Sequence, residues 1–316
     1  MVLDAQTQAI LDQANEEGAP QLYEMSVEDA RAALRDMSLA LDIEKSEIHK
    51  RIERSIPGPQ GEIPLRIYWP QPSMKGGILP ILMLYHGGGF VIGDLDTHEN
   101  MARYYCKHGK VIVISVDYRL APENSFPIGI EDAYTALCWA SEHASEIGGD
   151  SNLVAVTGDS AGGNISAVLC QLVKARCGPR IAYQFLSYPV VHMNLKADYK
   201  SRKTYGGGEY FLGFEIMEWF NKQYFNNPKE VNNPMASPIL TSDLTDLPPA
   251  LIITAGHDML VDEGKHYAQR LKEAGVPVEY VCYESTIHGF MSFAGVVDAG
   301  REALDLVASR LKTVLI

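Results

Sequence analysis

Gly158-Asp159-Ser160-Ala161-Gly162-Gly163 lies between an apolar run, Asn152 to Thr157, and a second apolar stretch over residues 164–173. The first run is six residues long and rich in β-branched side chains, the composition of a buried parallel strand. In the second, Ile165, Val168, Leu169, Leu172 and Val173 share one helical face, and Gly178-Pro179 marks the stop. A serine at a strand-to-helix turn among small residues is the pattern of a nucleophile elbow, G-x-S-x-G. Such a turn is tight, so glycines stand where a Cβ would meet neighbouring strands. The helix beyond points its free N–H groups at any negative charge developing on the serine side. The competing reading is a glycine-rich turn whose serine only caps the helix.

With 316 residues, 46% of them hydrophobic, the chain suits one large α/β domain with a small cap. A formal charge of −13 argues against nucleic acid and anionic membrane surfaces as partners. Five scattered cysteines, Cys106, Cys138, Cys170, Cys177 and Cys282, form no C-x-x-C and no metal-ligand spacing, which reads as buried thiols in a reducing compartment. The first residues lack the basic and apolar segments of a secretory signal, and no run approaches transmembrane length. The expectation is a cytoplasmic protein without stable membrane insertion.

Two helices are expected near the amino end, about residues 5–17 and 27–40, separated by Gly18-Ala19-Pro20. Ser26-Val27-Glu28-Asp29 is a capping-box variant with Asp in the last place. Residues 49–56 and 63–69 alternate as antiparallel strands joined through Pro57-Gly58-Pro59-Gln60-Gly61. The pattern then turns to strand, loop and helix: buried strands at 78–85 and 111–116, a helix near 130–143, then the elbow. Further strands are expected at 181–188, 250–254 and 278–283, with helices near 263–274 and 296–314. Residues 190–238 are much longer than an ordinary crossover and rich in aromatics. They read as a cap over an acyl pocket, together with residues 1–45. Packing on the body as ordinary core is the alternative. Phe211, Phe214 and Met217 from this segment, with Phe90, are the residues expected to touch substrate.

A serine hydroxyl needs a base, and the base needs an orienting carboxylate. Asp258 follows the 250–254 strand and His288 follows the 278–283 strand, in the order Ser, Asp, His. Both therefore stand at the carboxyl edge of the sheet, where sites of α/β proteins are built. Asp262 is the rival acid but reads better as a helix N-cap, and Asp243, Asp246 and Asp298 lie away from strand ends. His257 adjoins the acid and would point elsewhere; His49, His98, His108, His143, His192 and His266 show no partner in sequence.

Upstream, His86-Gly87-Gly88-Gly89-Phe90 follows the 78–85 strand. H-G-G-G arises by chance roughly 0.006 times in a chain of this composition. Three glycines in a row weaken any element, so something requires bare backbone there. Donation of N–H groups to an oxyanion is a sufficient reason, completed by the N–H of Ala161. A phosphate loop is the alternative, but no Lys-Ser/Thr follows.

H-G-G-G-F, Tyr118-Arg119-Leu120-Ala121-Pro122-Glu123, G-D-S-A-G-G and the terminal H-G-F together resemble the hormone-sensitive-lipase group of carboxylesterases, the bacterial and archaeal branch. The resemblance runs from about residue 63 to the end. It implies an α/β-hydrolase fold, a mostly parallel sheet flanked by helices under a helical cap, and hydrolysis of short- to medium-chain acyl esters. By position it makes Ser160 the nucleophile, Asp258 the acid, His288 the base, and Gly88, Gly89 and Ala161 the oxyanion donors. The group often has Asp-Pro-Leu at the acid where this chain has Asp258-Met259-Leu260, a change in loop stiffness rather than in chemistry.

The expected activity is therefore that of a serine carboxylesterase on a small-molecule ester, with no metal and no cofactor. Amidase, lactonase and acyltransferase chemistry would use the same triad. A binding protein derived from a hydrolase would keep only the pocket, a reading that the presence of His288 disfavours. A homodimer paired through an edge strand near 278–283 is also expected.

Overall fold

The computed structural model describes residues 2–16, 20–72 and 77–316. The expected break at Gly18-Ala19 and the helix end at Glu17 lie outside the described residues. The chain runs α1 (Ala5–Ala14), α2 (Val27–Leu41), β1 (Lys50–Gly58), β2 (Gly61–Trp69), β3 (Leu79–Tyr85), α3 (Glu99–Gly109), β4 (Ile112–Val116) and α4 (Ile128–Glu142). It continues with β5 (Gly149–Asp159), α5 (Ala161–Ala175), β6 (Tyr183–Ser187), α6 (Lys200–Tyr205) and α7 (Phe214–Tyr224). The last elements are β7 (Ala250–His257), α8 (Val261–Glu273), β8 (Val278–Ile287) and α9 (Asp298–Leu315).

The strands form one sheet in the order β1-β2-β4-β3-β5-β6-β7-β8. The β1/β2 and β2/β4 pairs are antiparallel and every later pair is parallel. Period-two alternation explains why the central strands look uniformly apolar in sequence. Ile81, Met83 and Tyr85 of β3 join the core under α4, α5 and α8, whereas Leu82 and Leu84 join the core under α3 and α9. Both faces are covered, giving a three-layer body.

Several boundaries differ from the sequence expectation. The β1/β2 register runs out to Gly58↔Gly61, so only Pro59 and Gln60 remain in the loop. Helix α3 was not anticipated: its apolar Met101, Ala102, Tyr105 and Cys106 are interleaved with charge. Its Glu99 is buried and accepts from Arg66 Nη1 at 2.9 Å and Tyr68 Oη at 2.6 Å. Asp262 is not an N-cap. It stands inside the first turn of α8, whose N-cap is Leu260, and accepts from Ser201 N at 2.8 Å. Ser26 does cap α2, accepting from Asp29 N at 3.1 Å.

Helices α1, α2, α6 and α7 lie over the carboxyl edge of the parallel strands. Helix α2 is tied down by Arg31, which forks onto both Glu123 oxygens at 2.8 Å and also donates to Val91 O and Ala121 O. Arg35 reaches Asp94 at 2.5 Å. Helix α7 is held by aromatic contact: Tyr224 stacks on Phe90 with centroids 4.1 Å apart. Among the described residues no helix is long and apolar enough to cross a membrane.

Candidate active site

Ser160 sits between the last residue of β5 and the first of α5 with φ 52° and ψ −112°. A side-chain-bearing residue in that region is strained and must be held by its surroundings. Its N–H donates to Ser187 O at 2.9 Å. The glycines on either side permit the turn: a Cβ on Gly162 would stand 1.8 Å from Tyr85 O, and one on Gly158 would stand 2.3 Å from the Gly162 carbonyl carbon. The Ser160 side chain does not cap α5.

Register delivers the partners. Strands β7 and β8 pair in parallel out to His257↔Ile287, so the next residue of each, Asp258 and His288, emerges side by side. Both strands run further than their sequence suggests. Gly256 lets them close up there, since a Cβ on it would lie 2.2 Å from Glu284 O. His288 Nδ1 is 2.7 Å from Asp258 Oδ2, and His288 Nε2 is 2.9 Å from Ser160 Oγ. A carboxylate only accepts, so Nδ1 carries the proton and Nε2 is left to accept from the serine hydroxyl. Asp258 is 1% exposed, and its other oxygen accepts from Leu260 N at 2.9 Å. The His288 ring rests edge-on against Tyr188 with centroids 5.0 Å apart.

The H-G-G-G loop follows β3. Gly88 has φ 113° and a Cβ there would lie 2.1 Å from Ile92 O; Gly89 has φ 59° and a Cβ there would lie 2.3 Å from the Phe220 ring. Among the described residues, no acceptor takes the N–H of Gly88, Gly89 or Ala161. His86 is fully buried, stacked on Tyr118 at 4.3 Å, with its carbonyl accepting from Tyr118 Oη at 2.7 Å. Burial, aided by the nearby His98, lowers its pKa to about 4.

A cavity of about 440 Å³ opens above Ser160 and His288. Phe90, Phe211 and Met217 line it, as do Leu34 and Met37 of α2 and Ile216 and Phe220 of α7. Phe214 lies outside the lining; it packs beside Gly206, where a Cβ would come within 2.6 Å of its ring. Phe220 was part of the aromatic run in sequence, but only the helix phase turns it toward Gly89.

His98, which has no visible partner in the sequence, meets Asp159 in the fold. Its Nε2 lies 2.9 Å from Asp159 Oδ1, across 61 residues of chain. Asp159 inside G-D-S-A-G-G was itself a signal, because a carboxylate buried at a strand end requires a partner. His257 packs against the rings of Tyr205 and Tyr210, away from Ser160. His192 and His266 both approach the Tyr199 hydroxyl, at 3.2 and 3.4 Å. Among the described residues, no group of three or more His, Cys, Asp or Glu is placed to hold a metal.

Residues 82–292 match the family described as the alpha/beta hydrolase fold. The carboxylic ester hydrolase LipN of Mycobacterium tuberculosis is 44% identical over 253 residues, 78% of this chain and 66% of that protein. The carboxylesterase NlhH of the same organism is 41% identical over 294 residues, 92% of this chain and 90% of that one. A hyperthermophilic esterase from the archaeon Pyrobaculum calidifontis superposes with a TM-score of 0.94 at 40% identity, covering 99% of both chains.

Proposed function

The chain belongs to the hormone-sensitive-lipase group of carboxylesterases within the α/β hydrolases, and on that footing we propose that it cleaves short- to medium-chain acyl esters through Ser160, Asp258 and His288. The observation that carries the reading is the unbroken line Asp258–His288–Ser160 at the floor of an apolar cavity. His288 Nε2 takes the Ser160 proton as Oγ attacks the ester carbonyl. The negative charge then forming on the carbonyl oxygen meets the N–H groups of Gly88, Gly89 and Ala161, whose free state supports that role. Collapse breaks the C–O bond to the alcohol, which leaves with the proton from His288. Water, deprotonated by the same nitrogen, resolves the acyl-serine and restores the hydroxyl. Asp258 holds the ring tautomer and balances the transient imidazolium.

The cavity volume falls within the range of about 300–1,000 Å³ usual for small-molecule sites. Its lining is mostly apolar, which suits a compact acyl group and a small alcohol. The exposed edge at β8 supports a dimer paired strand to strand.

Ser160→Ala tests the assignment. Hydrolysis of p-nitrophenyl butyrate should fall by about 10⁴-fold or more with the circular dichroism unchanged. Turnover near the wild-type rate in a folded variant would remove Ser160 from the reaction.

A further inference from the structure

We propose that His98 is a positioning residue for the oxyanion loop: paired with Asp159, it clamps the Gly87 N–H and so sets the direction of the Gly88 and Gly89 N–H groups. The proposal rests on the esterase reading above.

The clamp is built entirely from buried groups. Asp159 and His98 are each 6% exposed. Asp159 Oδ1 takes His98 Nε2 at 2.9 Å and Gly87 N at 3.0 Å. Gly87 N also lies 3.3 Å from His98 Nε2, so the three groups meet at one point. The other carboxylate oxygen presses on the loop itself: a Cβ on Gly87 would stand 2.3 Å from Asp159 Oδ2. The loop therefore rests on the carboxylate with no space between them, immediately before the two glycines whose N–H groups are free.

The partners of the His98 ring suit its doubly protonated form. Thr97 Oγ1 donates its one proton to Asp94 O at 2.9 Å and lies 3.0 Å from His98 Nδ1. With that proton on Asp94 O the hydroxyl presents a lone pair to Nδ1, an arrangement that suits a protonated Nδ1. Nε2 faces a carboxylate, which suits a proton there too. In that form both nitrogens donate, and the ring is an imidazolium. The groups facing it are Asp159 from the end of β5, Asp94 from the loop after β3, Asp42 after α2, and His86 from the end of β3. Burial alone would lower the His98 pKa, but Asp159, with Asp42 and Asp94, outweighs it and raises it. Burial likewise works to raise Asp159, and His98 holds it below the usual carboxylate range. His86, kept neutral, adds no competing cation.

Oxyanion stabilisation requires donors within about 2.7–3.1 Å of the developing charge, and a misplacement of about 1 Å weakens catalysis about 100-fold. Losing the cation should let the loop drift without removing any donor. In His98→Gln, kcat for p-nitrophenyl butyrate should fall between about 10- and 100-fold with KM within about twofold. Affinity for a trifluoromethyl ketone, which places an oxyanion in the same hole, should fall by the same factor as kcat. In the wild type, raising pH through the folded pKa of His98 removes the proton, leaves Asp159 uncompensated, and should produce an alkaline decline in kcat that His98→Gln lacks.

A folded His98→Gln enzyme with unchanged kcat and unchanged inhibitor affinity would overturn the proposal, as would a variant that loses only thermal stability. Histidine ¹⁵N resonances of the wild-type protein give a test free of any folding defect: both His98 ring nitrogens should be protonated at pH 7.5, and a neutral tautomer would refute the clamp. Inactive Ser160→Ala beside fully active His98→Gln would defeat this role alone and leave the esterase assignment standing.

Discussion

Arg202 of α6 and Glu263 of α8 form an ion pair whose side chains are 1% and 0% exposed. The pair ties the segment leaving β6 to the helix that follows Asp258. Glu263 Oε1 accepts from Val191 N at 2.9 Å and His192 N at 3.1 Å, while Arg202 donates to Asn194 O at 2.6 Å. Every charge is thus met by several partners, and removing one partner strands the other in a dry site. Arg202→Met should destabilise the fold by about 3–5 kcal/mol in urea unfolding. Adding Glu263→Gln should recover part of that loss, because a neutral amide still accepts from Val191 and His192 but needs no cation. A double variant less stable than Arg202→Met alone would show that the carboxylate's charge is not the source of the penalty.

Gly89 and Phe220 are in direct competition for space. A methyl group at 89 would stand 2.3 Å from the ring, on a backbone with φ 59°. Gly89→Ala should therefore displace a proposed oxyanion donor and lower kcat by about 100-fold. Phe220→Leu alone should change kcat only a few-fold, and combining the two should restore part of the loss, a non-additivity expected of residues in contact. Strictly additive rate losses across the four proteins would place the defect in the Gly89 backbone conformation instead.

His192 carries a pH dependence with a definite sign. Burial, with Arg202 and His266 adding to it, lowers its pKa to about 4 from an ordinary 6.5. The unfolded chain therefore binds a proton that the folded one refuses between about pH 6.5 and 4, and stability falls as pH falls through that window. Asp42 and Asp117, both raised to about 6 by burial, act in the opposite direction over much of the same range. The effect of His192 is isolated by difference. The Tm of His192→Gln relative to wild type should improve steadily from pH 7 to pH 4.5; a constant difference would mean that the ring titrates normally in the fold.

Much of the candidate site was legible because the chain advertises backbone requirements. H-G-G-G and G-D-S-A-G-G show where side chains are forbidden, and the contacts a Cβ would make at Gly88, Gly89 and Gly162 give the steric cause. Asp258 and His288 could be placed at strand ends from apolar runs alone. Those runs are shorter than the strands, since Gly256 and the polar residues Glu284 to Thr286 look like loop in one dimension and form an irregularity in the ladder, past which pairing resumes at His257↔Ile287. Helix α3 escaped notice because its buried Glu99 breaks the apolar pattern; its charge is satisfied by Arg66, Arg103 and Tyr68, which lie elsewhere in the chain or one turn along.

Local order and backbone need were carried by the letters themselves: the elbow at Ser160, the bare loop at residues 87–89, and the succession of Ser160, Asp258 and His288. Folding in three dimensions settled which groups meet. The pairing His257↔Ile287 sets the carboxylate beside the imidazole. The phase of α7 turns Phe220 toward Gly89 and leaves Phe214 outside the cavity. His98 reaches Asp159 only because α3 begins where β3 and β5 run side by side. Steric demands on a backbone act over a few residues and leave a motif, whereas a buried charge can be compensated from any distance along the chain and leaves none.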